Sequence, residues 1–357
     1  MREYGIHAQF QTNFYLTCRR KDSMKPIAQQ VVVITGASSG IGRACALAFG
    51  RAGAAVVLAA RNETVLKAVA GDIERLGGRA LVVPTDVAHW PQVAQLANAA
   101  LARFGRIDTW INNAGINEHA AVADMTIEEI DRIVQVDLMG TIYGMKAALG
   151  PMRRQRAGTI LNVASVVSLR AAPLHAPYVA SKHGVAGFTE ALRMELMHEG
   201  MPIQLTMVMP SFIDTPLFLN ARSKIGVQPR PVPPVYAPEA VVEAVLFAAQ
   251  HPRRDIIVGA QGAFVALMQR ISPALLDRLM VARGAMFRLQ KTGKPDNGVD
   301  NLFQPTPGPG SVRGAWSGEA LPYSWYTRHL EQHPYRKRLA YGVLGCALWM
   351  LLRPRER

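Results

Sequence analysis

The sequence predicts a doubly wound α/β domain built on a parallel sheet of about seven strands. Three features point to it. Short β-branched runs alternate with helix-period segments, the runs are apolar almost without interruption, and a glycine-rich turn follows the first of them.

The first run, VVVIT at 31–35, leads through a turn between Gly36 and Gly42 into a helical stretch, RACALAFGRAG, ending at Gly53. Strand-like runs recur at 55–60 (AVVLAA), 79–84 (RALVVP), 107–111 (IDTWI), 159–163 (TILNV), 203–209 (IQLTMVM) and 255–258 (DIIV). Their unbroken apolar character implies burial on both faces, under crossover helices. The domain is expected over about 26–260, with its ligand at the carboxyl ends of the strands, where the strand order reverses. After Gly259 the alternation stops. Two helical segments, about 261–270 and 273–290, lead into KTGKPDNGVDNLFQPTPGPGSVRG, which reads as loop or linker.

The chain thus divides into an N-terminal appendage (1–25), expected to be disordered, the α/β domain (26–260), a helical and Pro/Gly-rich extension (261–335) and an apolar helix flanked by basic residues (336–357). The folded unit, and the natural translation start with it, is expected near Met24. No secretory h-region is expected, because residues 1–25 mix charged and polar residues and hold no unbroken apolar stretch long enough for one.

With 40 Lys+Arg against 26 Asp+Glu, the 357 residues carry a formal charge of +14, and 49% are apolar, ample for one core or two. The excess sits at the ends: residues 283–357 hold 12 basic and 5 acidic side chains, residues 1–30 hold 5 and 2, and +4 is left for 31–282. A nearly balanced body argues against a nucleic-acid groove. Cys18, Cys45 and Cys346 lie far apart without ligand spacing, which excludes a disulfide framework and a zinc module and suits a reduced, cytoplasmic compartment.

Thr35-Gly36-Ala37-Ser38-Ser39-Gly40-Ile41-Gly42 stands directly between the first strand and the first helix. Glycines without a Cβ let the backbone approach a pyrophosphate, and the free N–H groups of the helix start favour an anion. The G-x-G-x-x-G pattern fails, since Cys45 takes the third glycine's place; T-G-x-x-x-G-x-G is present instead. The second strand ends in Ala60 and Arg61, where an NAD-selective site places a carboxylate on the ribose hydroxyls. A guanidinium there suits a 2′-phosphate, so NADP is favoured over NAD; Arg43 is a weaker phosphate candidate.

Tyr178 and Lys182, in Y-V-A-S-K, share one face of a helix expected from about Pro177 to Glu199. A phenol is a poor base at neutral pH. A nearby ammonium and a cationic nicotinamide are expected to lower its pKa, so that it exchanges a proton with an alcohol or carbonyl oxygen. Ser165, thirteen residues upstream at the end of TILNVAS, is placed to hold that oxygen.

With these motifs the chain resembles the short-chain dehydrogenase/reductase family, in the branch carrying T-G-x-x-x-G-x-G and Y-x-x-x-K, over about residues 30–260. The resemblance implies a Rossmann-like NAD(P)-binding catalytic domain. It assigns catalysis to Ser165, Tyr178 and Lys182, and to Lys182 and Tyr178 contacts with the cofactor as well. It further implies that Gly36, Ser38, Ser39, Gly40, Ile41 and Gly42 cradle the cofactor, that Asp86 and Val87 adjoin the adenine, that Asn113, Ala114 and Gly115 line the cofactor, and that Pro210, Ile213 and Thr215 lie near the nicotinamide amide. Two positions depart from the family pattern. Asp137 stands where the family has an Asn; it is nearly isosteric and is kept as a relay member, but it cannot donate an amide hydrogen bond and adds a charge near Lys182. Ser211 replaces a glycine.

The expected function is NADP-dependent interconversion of an alcohol and a ketone or aldehyde; the competing reading is a nucleotide-binding scaffold or redox-sensing subunit without turnover. Epimerase-like relatives carry T-G-x-x-G-x-x-G, and enoyl reductases space Tyr and Lys farther apart. Leu169, Arg170, Leu174, His175 and residues 216–238 are expected to border an apolar substrate. His119 and His175 read as surface or packing residues, and no metal is expected. The charge-free run 339–352, fourteen residues with Tyr341 and Trp349 inside and arginines at both ends, would reach roughly 21 Å as a helix, short of a full bilayer span. For this run and the helices at 261–290, contact with a membrane surface is the favoured expectation, with a short membrane span, cover for the main domain and homo-oligomer contacts as the other readings.

Overall fold

The computed structural model describes residues 24–333, 335–340 and 342. Seven strands form one sheet: β1 (Val31–Thr35), β2 (Ala55–Ala60), β3 (Arg79–Pro84), β4 (Thr109–Asn112), β5 (Gly158–Val163), β6 (Ile203–Pro210) and β7 (Asp255–Val258). Their order is β7-β6-β5-β4-β1-β2-β3, and every pairing is parallel. The order reverses between β1 and β4, so a crevice opens beyond their carboxyl ends. β4 starts two residues later than expected, because the Ile107 N–H goes to the Gln155 side chain (3.0 Å) and not to a neighbouring strand.

The helices are α1 (Gly40–Arg51), α2 (Glu63–Arg75), α3 (Trp90–Phe104), α4 (Ile127–Val134), α5 (Gly140–Gln155), α6 (Ala176–His198), α7 (Pro238–Gln250), α8 (Ala260–Ile271), α9 (Pro273–Val281) and α10 (Ala285–Leu289). The single segment expected at 273–290 is two helices. Arg283 and Gly284 take φ of 51° and 64°, through which a right-handed helix does not continue.

Alternation along β1 and β2 divides the core into two layers. Val32, Ile34, Val56 and Leu58 pack with Phe49, Leu66, Ile73 and Val245 of α1, α2 and α7, whereas Val31, Val33 and Val57 pack with Leu96, Met145 and Leu192 of α3, α5 and α6. Burying each large apolar side chain stabilises the fold by about 1.5–3 kcal/mol.

A buried polar chain then sets the height of α6. The Trp110 indole donates to Asn112 (2.8 Å), Asn112 to Asn162 (2.8 Å) and Asn162 to the Thr189 hydroxyl (2.9 Å), so β4, β5 and α6 are locked in register. Met24 and Lys25 already touch the domain, through Thr159 and Asp108; residues 1–23 lie outside the described residues.

The Pro/Gly-rich stretch is irregular, yet it lies against the domain along its length. Lys291–Pro295 pairs antiparallel with Val227–Pro229, Leu302 is fully buried, Trp316 packs edge-on to Phe218 at 5.8 Å, and Thr327 bonds the end of β7 through the Ile257 carbonyl (3.0 Å). Among the described residues no helix is long and apolar enough to cross a membrane. Most of the run 339–352, with Tyr341 and Trp349, falls outside the described residues, as do Cys18 and Cys346.

Candidate active site

The turn after β1 is closed by contacts that only glycine permits. Gly36 has φ +68°, and a Cβ there would meet Ala114 Cα at 2.8 Å; a Cβ at Gly42 would collide with the Gly36 carbonyl. Asn113 fastens the turn to the end of β4, its side-chain amide donating to Thr35 O (3.0 Å) and its N–H to the Thr35 hydroxyl (3.0 Å). Ser39 precedes α1 without using its side chain as a cap. That hydroxyl, with the helix-start amides, suits an anionic group.

A cavity of about 490 Å³ runs from this turn to Ser165, Tyr178 and Lys182. Of the cradle residues, Gly36, Ser38, Ser39, Gly40 and Ile41 line it, while Gly42 supports it from beneath. Arg61, Asp86, Val87, Asn113, Ala114 and Gly115 line its middle, and Pro210, Ile213 and Thr215 the side facing β6. The donor-rich floor, the glycine approaches and the length of the cavity fit a dinucleotide.

Ser165, Tyr178 and Lys182 meet at the inner end. Ser165 caps the short 3-10 turn Val166–Ser168, accepting from the Val167 N–H (3.3 Å), and it lines the cavity together with Tyr178 and Lys182. The Lys182 ammonium, 3% exposed, donates to the Val163 carbonyl at the end of β5 (3.3 Å) and lies 5.3 Å from the Tyr178 ring centre. Asp137, on a π-turn spanning Gln135–Met139, does not line the cavity but stands behind it. Its Oδ1 accepts from the Ile116 N–H (2.9 Å); its Oδ2 is 3.8 Å from Lys182 and has no hydrogen-bond partner.

The protein's own groups, taken without a nicotinamide charge, do not lower the phenol of Tyr178. Burial pushes its phenol above the ordinary value and the Asp137 charge adds to that push, while the neighbouring Ser165 hydroxyl opposes both. Burial also pushes the Lys182 ammonium down, and the Asp137 charge opposes that push. Asp137 is pushed up to about 6 by burial, against the pull of Lys182.

Arg61 reaches the cavity, but its guanidinium also donates to the carbonyls of Asn301 (2.6 Å) and Leu302 (3.3 Å). Arg43 donates to those of Pro309 and Gly310 (both 2.9 Å). Burial works against the charge on Asp86, yet Arg132 (2.7 Å) and the Ala88 N–H hold its carboxyl below the usual range. His119 and His175 are both buried, ring centres 5.0 Å apart; His175 lines the cavity 6.4 Å from the Tyr178 ring. Around them Ile116, Phe212, Leu217 and Phe218 form an apolar wall. Leu169, Arg170 and Leu174 do not line the cavity; Arg170 is drawn away to Gln269 (2.8 Å) and Asp277.

The family model described as short chain dehydrogenase matches residues 30–226. The chain belongs to the short-chain dehydrogenase/reductase family. Among curated relatives, an uncharacterized oxidoreductase of Bacillus subtilis (strain 168), YxnA, is 37% identical over 92% of this chain and 93% of its own. A 3-oxoacyl-[acyl-carrier-protein] reductase of Synechocystis is 35% identical over 66% of this chain and 95% of its own. An alcohol dehydrogenase from the archaeon Thermococcus sibiricus, solved in complex with 5-hydroxy-NADP, superposes with a TM-score of 0.56 at 26% identity, covering 64% of this chain and 95% of its own.

This short-chain dehydrogenase is therefore an NAD(P)-dependent oxidoreductase acting on CH–OH groups. Its cavity has a feature beyond the matched residues 30–226: Asn301 and residues 305–311 of the extension line it. Sequence reasoning missed these residues. QPTPGPGS has the composition of a loop, and nothing local in it marks a partner more than 200 positions away.

Proposed function

We propose that the protein interconverts an apolar alcohol and the corresponding ketone or aldehyde, using NADP in preference to NAD. One observation carries the reading: Ser165, Tyr178 and Lys182 line the same long cavity as the glycine turn, with the Lys182 ammonium 5.3 Å from the centre of the Tyr178 ring. When bound, the dinucleotide supplies or accepts the hydride at the substrate carbon. Ser165 holds the substrate oxygen. Tyr178 gives that oxygen a proton in reduction and removes one in oxidation. Lys182 keeps a positive charge beside the phenol and, with Tyr178, contacts the cofactor. Asp137 keeps Lys182 charged, and so acts through it as a relay member.

Cofactor binding is assigned to Gly36, Ser38, Ser39, Gly40, Ile41, Gly42, Asp86, Val87, Asn113, Ala114, Gly115, Pro210, Ile213 and Thr215, with Arg61 as the 2′-phosphate ligand. The NADP preference is supported by Ala60 in place of a carboxylate, by the Arg61 guanidinium on the cavity wall, and by the 5-hydroxy-NADP bound to the structural relative. Phe212, Leu217 and Phe218 support an apolar substrate.

A second reading concerns the surface. Phe264, Leu267, Ile271, Leu275 and Leu279 of α8 and α9 are exposed, with Arg270, Arg278, Arg283 and Arg288 nearby. Apolar side chains bordered by cations fit an anionic lipid surface.

The test of the main reading is purified full chain with NADPH or NADH and carbonyls of increasing apolar length, followed by nucleotide absorbance. NADPH-linked reduction that Tyr178→Phe abolishes is the expected result. Nucleotide binding without turnover on any carbonyl would favour the scaffold reading.

A further inference from the structure

The stretch after Asp300 is tied down on both sides of the cofactor cavity. At its start, Asp300 pairs with Arg222 (2.8 Å) and the Asn301 N–H donates to Asn220 O (3.0 Å). At its end, Asp214 accepts from the Trp316 N–H (3.0 Å) and the Ser317 hydroxyl (2.7 Å). Between these anchors the backbone crosses the cradle itself. Ser311 O accepts from the Gly40 N–H (2.8 Å), and Gly310 lies so close that a Cβ there would stand 2.6 Å from Ser38 O.

We propose that residues 301–311 form an outer wall of the dinucleotide site, which retains the adenosine and phosphate half of the cofactor. The proposal rests on the dinucleotide reading of the cavity and extends it to a segment outside the matched family region.

Two observations make the segment a wall and not a plug. It lines the cavity together with the cradle instead of filling it. It also carries no acidic residue between 301 and 314, so the carbonyls it offers to Arg43 and Arg61 orient those guanidiniums without neutralising them. An occluding mimic of phosphate would need a negative charge there. Gly40 gives its amide to the wall, whereas Ile41, which lines the cavity in the same first turn, has no intrahelical partner for its own and keeps it for a phosphate. A wall bonded to the cradle lengthens residence, because a bound nucleotide leaves only after those bonds open.

The test uses full-length protein, NADPH and NADH as probes, and two variants. Gly310→Val places a side chain against Ser38 O and lifts the wall; replacement of residues 305–309 by Gly-Ser-Gly-Ser-Gly loosens it while keeping both anchors. Stopped-flow fluorescence should show NADPH leaving each variant at least about tenfold faster than wild type, with a matching rise in Kd. NADPH should also protect residues 303–310 of the wild type from limited proteolysis. Release rates unchanged in both folded variants, or tighter binding in either, would overturn the wall. Failure of wild type to bind either nucleotide would instead overturn the dinucleotide reading itself.

Discussion

The Asp137 carboxylate stands 3.8 Å from the Lys182 ammonium, both nearly excluded from solvent, where a neutral amide would leave the lysine's charge without a counter-ion. Two effects oppose each other here. The carboxylate keeps Lys182 protonated, but its own charge raises the phenol of Tyr178. Asp137→Asn removes both. The rise of alcohol oxidation with pH, which reports the phenol becoming a base, should move to lower pH in the variant, because the Asp137 charge acts on the phenol directly. A pH profile of kcat/KM checks this, and an unchanged profile would remove Asp137 from the relay.

Tyr178→Phe keeps the ring and removes the proton donor, so kcat should fall by about 10²–10⁴-fold while the dinucleotide still binds. Ser165→Ala should lower kcat by a smaller factor. It also removes the acceptor for the Val167 N–H, at a cost of about 1 kcal/mol measurable by chemical denaturation.

Arg61→Ala removes a charge-assisted pair to the 2′-phosphate, a contact typically contributing about 1.5–3 kcal/mol. NADPH should weaken by about tenfold or more and NADH much less, a difference read from the ratio of kcat/KM values. Equal weakening of both nucleotides would mean that Arg61 acts through its bonds to Asn301 and Leu302 alone.

His175 is pushed down to about 4 by burial, and His119 well below its ordinary 6.5 by burial and by His175. Both are neutral when folded at pH 7 and protonate more readily when unfolded, so the stability they permit is lost as pH falls from about 6.5 toward 4. His119→Phe, which keeps a ring beside Phe218, should lose less over that range. Denaturation midpoints of the two proteins should therefore diverge as the solution is acidified.

The α8–α9 face predicts sedimentation with vesicles containing phosphatidylserine and not with phosphatidylcholine alone. Ile271→Glu with Leu275→Glu should abolish it. Retention of binding by that variant would place the contact elsewhere on the chain.

Strand and helix positions were legible because the signal is local: a two-residue or 3.6-residue period reports which faces are buried wherever the chain ends up. The same holds for the glycine cradle, whose close approaches lie on neighbouring elements, and for Tyr178 and Lys182, one helical turn apart. Arg61 marks the limit. Its place after the second strand is a local fact, but its partners Asn301 and Leu302 are 240 and 241 positions away.

By itself, then, the sequence determined the sheet, the glycine turn after β1 and the spacing that puts Tyr178 and Lys182 on one helix face. Tertiary structure decided what surrounds them: the buried histidine pair, the raised phenol of Tyr178, and the extension lying across the cofactor cavity. The division has a physical cause. Periodicity and spacing record a residue's own burial face, whereas desolvation and hydrogen bonds between distant segments depend on which other parts of the chain arrive there.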